Sequence, residues 1–107
     1  MSKSINQQQI IEEITHKITL NLFKVGCDTK NYNMLIILPQ KTPELEIKMN
    51  LTKMPLNRRL NELVKVGLIE RDLYKGDVKP TELTKVFINH IKDLEKEEMK
   101  QIPKLLG

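Results

Sequence analysis

The sequence carries a single cysteine, Cys27, no tryptophan and only 4% aromatic residues among its 107 positions. One thiol rules out an intramolecular disulfide and a thiolate zinc cluster. The scarcity of aromatic rings removes the stacking platform on which single-strand nucleic-acid binders rely. Its four glycines are scattered, so no phosphate-cradling glycine loop can be drawn. No uninterrupted apolar run approaches the ~18 residues needed to span a bilayer. The opening MSKSINQQQ lacks the apolar core and small-residue cleavage site of a secretory leader. A cytoplasmic protein with no membrane partner is therefore expected. Neither a paired-carboxylate motif nor a serine or cysteine nucleophile with an evident base is present, so no enzyme activity, cofactor or metal is expected. Cys27 reads as a lone small buried residue; its place after Gly26 and before a helix start, where a thiolate is stabilised, leaves redox sensing as the alternative.

What the chain does have is a globular balance, 39% hydrophobic and 30% charged residues, with a length that fits one domain, residues 1–107. Its net charge of +4 is not evenly spread. Between Lys48 and Lys79 stand eight basic residues against four acidic ones, whereas the remainder of the chain balances ten with ten. A local basic surface on an otherwise neutral domain suggests a polyanionic partner.

The apolar pattern predicts the elements. Ile11, Ile14, Ile18, Leu22 and Val25 recur at helical spacing, giving a helix over 4–25 that Gly26 stops. Asp28 or Thr29 can cap a second helix, through Leu38 to Pro39, that is apolar nearly all round and so belongs in the core. Thr42, Pro43 and Glu44 begin a two-turn helix. A short turn at Asn50–Thr52 leads into a helix from Lys53 to Val66, with Leu56, Leu60 and Leu63 inward, Met54, Arg58, Asn61 and Lys65 outward, and Gly67 just past its end. Leu68 to Asp72 and Val78 to Lys79 then read as a small β-hairpin turning at Lys75-Gly76-Asp77. Thr81 caps a last helix over 81–102, which Pro103 should break or kink. The fold class is thus mainly α with a small β-hairpin.

A helix, a short turn and a second helix with a polar outward face make a helix-turn-helix, and a hairpin directly after it makes the winged form. The pattern L-T-x-x-x-L-x-R-R-L-x-x-L-x-x-x-G-L-I-x-R, Leu51 to Arg71, resembles the recognition helix and first wing strand of winged-helix transcription regulators of the MarR and ArsR type, above all the small archaeal ones. P-T-E-L-T-K, residues 80–85, resembles their entry into the last helix. The resemblance covers roughly residues 28–95; the turn from Leu73 to Asp77 is shorter than the wing loop of many such regulators.

That resemblance implies a winged helix-turn-helix core and wing over 28–80, flanked by long N- and C-terminal helices, and a regulator that binds double-stranded DNA sequence-specifically. Arginine reads guanine and asparagine reads adenine through paired hydrogen bonds, so Arg58, Asn61 and, more weakly, Asn57 are the expected base readers. Phosphate contacts are expected from Thr52, Lys53, Lys65, Arg71 and Lys75, with Arg59 at the edge of the face assigned to a phosphate or to an internal acid. One such domain makes few contacts, so a homodimer is expected through Ile11, Ile14, Ile18 and Leu22 of the first helix and Phe87, Ile91 and Leu94 of the last. The alternatives are a monomer whose terminal helices wrap its own core, and a winged-helix protein–protein interaction module of a transcription or repair assembly. His90, Asp93 and Glu97 have a spacing that could hold a metal at a dimer seam, but no second histidine or cysteine completes the set. No small-molecule effector is implied.

Overall fold

The computed structural model describes residues 2–107, with side chains from Asn6 onward; Met1, counted in the expected 1–107 domain, lies outside the described residues. The order is α1 (Ser2–Gly26), α2 (Thr29–Leu35), β1 (Gln40–Lys41), α3 (Thr42–Met49), α4 (Lys53–Lys65), β2 (Ile69–Arg71), β3 (Asp77–Pro80) and α5 (Glu82–Leu106). The molecule is mainly helical with a small three-stranded antiparallel sheet in the order β1-β3-β2.

Local signals account for most of these bounds. Asp28 caps α2 by accepting the Asn31 N–H at 3.1 Å, which removes one of the four orphan donors at a helix start. Asn50 ends α3 in the left-handed region at φ 53°, a conformation asparagine tolerates better than most side chains. Pro55 falls in the first turn of α4, where a missing N–H costs no helical bond, so the helix begins at Lys53 as expected. Gly67, at φ +82°, turns the chain out of α4 into β2.

Thr81 and Thr84 do more than cap α5. The Thr81 hydroxyl donates to the Gly67 carbonyl at 2.6 Å and accepts the Thr84 N–H, while the buried Thr84 hydroxyl accepts the Thr81 N–H at 3.0 Å and donates to the Leu68 carbonyl. The start of α5 is thereby tied to the α4–β2 junction.

Four expectations are corrected. The hairpin gains a third strand: Gln40 pairs with Val78 and Lys41 with Asp77, and Thr42 N–H donates to the Gly76 carbonyl at 2.8 Å. Two residues leave no period to read, so β1 is visible only through its partner. The second helix stops at Leu35, with Met34 and Leu35 buried but Ile36 52% exposed, instead of running on to Pro39. The last helix does not break at Pro103 but continues to Leu106, because a proline this near the end forfeits one backbone bond and Gly107 N–H still reaches the Pro103 carbonyl at 2.9 Å. Cys27 is exposed, since it follows the last core residue of α1 and precedes the cap of α2.

The core gathers Leu22, Met34, Leu35 and Leu45 with Leu56, Leu60 and Leu63 of α4, then Leu68, Ile69, Val78 and Phe87. Leu22 and Phe87, both expected at a dimer interface, are 7% and 2% exposed and belong to this core. Phe87 packs edge-on against Phe23 and Tyr32, with ring centroids 5.3 Å and 6.2 Å apart. Beyond the core both terminal helices project. Every side chain from Asn6 to Asn21 and from Lys92 to Gly107 is exposed, and the radius of gyration is 17.5 Å, against about 13 Å for a compact chain of this length.

Candidate nucleic-acid interface

α4 carries the expected outward face. Leu56, Leu60 and Leu63 are fully buried and fix the roll of the helix, which leaves Asn57, Arg58, Asn61 and Lys65 exposed on the other side. Thr52 and Lys53 are exposed at its start, and the Thr52 side chain makes no capping bond. Arg58 forms no ion pair among the described residues. Its guanidinium keeps its full set of donors for a partner.

Arg59 is different. Its Nη1 donates to Asp28 Oδ1 at 2.6 Å and to Asn31 Oδ1 at 3.1 Å, and the Asn31 Nδ2 donates on to the Val25 carbonyl at 3.0 Å. This chain of bonds joins α4, α2 and the end of α1. Of the two roles left open for Arg59, the internal acid is the one realised; the guanidinium is only 28% exposed and is committed to Asp28 rather than to a phosphate. The Asp28 carboxyl is held below its ordinary value, first by the Asn31 N–H and then by Arg59, against the opposing effect of partial burial.

The hairpin sits beside α4. Along β2, side chains alternate, so Arg71 shares the face of the buried Ile69 and points at the helix, while Glu70 points away. Arg71 Nη2 donates to Asn57 Oδ1 at 3.0 Å and its Nη1 to Asn61 Oδ1 at 3.3 Å. Three residues expected to meet DNA separately are thus linked to one another. Sequence reasoning did not foresee this contact, although the shared parity of Ile69 and Arg71 was a usable signal.

The hairpin turn is tightly built. Asp72 accepts from the Tyr74 and Lys75 N–H groups at 2.9 and 3.1 Å, and Gly76 N–H reaches the Asp72 carbonyl at 2.7 Å. At the tip Leu73, Tyr74 and Lys75 are exposed, Tyr74 completely. The charge here is mixed, because a shallow depression of about 190 Å³ is lined by Arg71, Lys75 and Lys79 together with Glu70, Asp72 and Asp77. Asp77 is compensated by Lys41 at 2.9 Å; that hydrogen bond is the main reason its carboxyl is lowered and the Lys41 ammonium raised.

Away from this face lies an apolar groove of about 510 Å³ between α1 and α5, lined by Thr19, Leu22, Phe23, Leu83, Val86, Phe87, His90, Asp93 and Leu94. It runs into the exposed apolar side chains of both helices: Ile11, Ile14 and Ile18 are 51–59% exposed and Leu94 is 58% exposed, with Ile91 half-buried. Among the described residues no group of three or more His, Cys, Asp or Glu side chains gathers to hold a metal ion. No helix is long and apolar enough to cross a membrane. Compared with models of protein families, with curated proteins and with solved structures, the chain matches none.

Proposed function

We propose that the chain is a winged helix-turn-helix protein that binds double-stranded DNA sequence-specifically and regulates transcription as a homodimer. The observation that carries this reading is the exposed face of α4, where the unpaired Arg58 stands between Asn57 and Asn61 on a helix whose roll is fixed by three buried leucines. In this reading α3, the turn at Asn50–Thr52 and α4 form the helix-turn-helix, and β2–β3 form the wing. A helix about 10–12 Å across fits the major groove, which is about 12 Å wide. Arg58 then reads a guanine, and Lys53, Lys65 and Lys75 neutralise phosphates.

The dimer is supported by the terminal helices. Isolated helices are marginal in water, yet α1 and α5 extend past the core with Ile11, Ile14, Ile18 and Leu94 uncovered. Ile11, Ile14 and Ile18 are spaced by three and four residues, as in the seam of a helical pair. A second copy laid along this face covers them and sets two copies of α4 about one DNA turn, roughly 34 Å, apart on a near-palindromic site.

A second reading, a protein-interaction module, is favoured by one feature: Leu73 and Tyr74 at the hairpin tip are 79% and 101% exposed, and an apolar tip suits a protein surface better than a phosphate. Binding to mixed genomic duplexes across a salt series separates the two. For DNA, the logarithm of affinity falls by about 0.9 per log unit of salt for each phosphate neutralised. Arg58→Ala should keep this nonspecific binding and lose preference for the selected site by ~1–3 kcal/mol. Absence of any binding at low salt would rule out the regulator.

A further inference from the structure

Arg71 decides which way the two asparagines of α4 face. A guanidinium has donors and no acceptor, so the atoms it meets on Asn57 and Asn61, at 3.0 and 3.3 Å, are the carbonyl oxygens. Each planar amide then turns its amino group away from the guanidinium, to the exposed side of the helix. Asparagine reads adenine by accepting from N6 and donating to N7 together. With both oxygens engaged, the pair offers donors only.

We propose that Arg71 is a positioning residue that sets base preference: it converts Asn57 and Asn61 from adenine readers into donors that select guanine, whose major-groove edge presents two acceptors, N7 and O6. The inference rests on the DNA-binding reading above and names the half-site chemistry of that same face. Four residues apart, the two asparagines are separated by about 6 Å along α4, which corresponds to roughly two base steps of 3.4 Å. The preferred half-site therefore carries guanines at two positions about two steps apart, in addition to the one read by Arg58. Arg71 has further N–H groups in its fork and lies half-buried on β2, so it can hold both amides and still face a phosphate. A lysine keeps the charge but not the two-armed fork.

The test is selection of sites from a randomised duplex library by the full chain, by Arg71→Met and by Arg71→Lys, with circular dichroism to confirm that each variant folds. The wild-type chain should enrich guanine at the two positions. In Arg71→Met both amides are free to rotate, and adenine should rise there on the order of tenfold relative to guanine. Arg71→Lys should shift the same positions in the same direction while leaving the salt dependence of nonspecific binding unchanged, a separation that a merely structural role does not produce. Adenine already preferred by the wild-type chain, or guanine retained in both variants, would overturn the role of Arg71 and leave DNA binding standing. No DNA bound by the wild-type chain at low salt would overturn both.

Discussion

Replacing Gly26 by alanine adds one methyl group at the most crowded point between α1 and α5. A Cβ there would stand 2.7 and 2.9 Å from two ring carbons of Phe87 and 3.1 Å from a methyl of Leu68, whereas carbon atoms pack best at about 3.5–4.0 Å. The ring must move by most of an ångström, and it has little room, being 2% exposed and wedged edge-on between Phe23 and Tyr32. Overpacking of this kind costs about 1–3 kcal/mol. Opposing it, alanine is favoured over glycine within a helix by roughly 0.5–1 kcal/mol, and less at a last residue such as this one. The clash wins, and Gly26→Ala is expected to destabilise by about 1–2 kcal/mol, a fall in Tm of roughly 5–10 °C for a chain of this size. Thermal melts followed by circular dichroism at a fixed protein concentration read this directly. The cause is isolated by the double variant Gly26→Ala/Phe87→Leu: with the ring gone, the added methyl should cost little or become favourable, giving a coupling energy of about 1 kcal/mol or more. A single variant that melts at or above the wild-type temperature, or a penalty of equal size with and without the ring, would refute the packing account.

Two further outcomes follow from the same geometry. Because the Asp28 carboxyl is lowered from its ordinary 3.8 by the Asn31 N–H and Arg59, the unfolded chain binds the proton first as pH falls; the contribution is complete above that value and is lost as pH drops through the lower folded value. Asp28→Asn should flatten this part of the acid-unfolding curve, and an unchanged curve would remove Asp28 as its source; with Asp28 44% exposed, solvent screening keeps the effect small. For the proposed dimer, Ile14→Lys and Ile18→Lys alter side chains already 51% and 59% exposed, so helix content should persist while sedimentation shows a monomer; unchanged association would place the contact elsewhere.

The elements were legible wherever the determining residues are near neighbours in the chain. Leucines three and four apart drew α4 and its roll, Asp28 and Thr81 marked helix starts, and Gly67 and Gly76 marked turns. The candidate face was legible for the same reason, since the roll of α4 alone brings Asn57, Arg58 and Asn61 to one side.

What the sequence by itself determined, then, is the set of helices, the hairpin and the polar stripe on α4, because each is encoded in periodicities and caps that act within one or two turns. Tertiary structure alone decided that Gln40–Lys41 is a strand, that Leu22 and Phe87 are core instead of surface, that Arg59 belongs to Asp28, and that Arg71 holds Asn57 and Asn61. In the side-chain pairs the partners lie 31 positions apart for Arg59 and Asp28, and 14 and 10 for Arg71 and its asparagines. No local period relates such residues. They meet because the buried leucines and Phe87 pack only one way, and that packing, more than any single charge, fixes which side chains stay free to meet a partner.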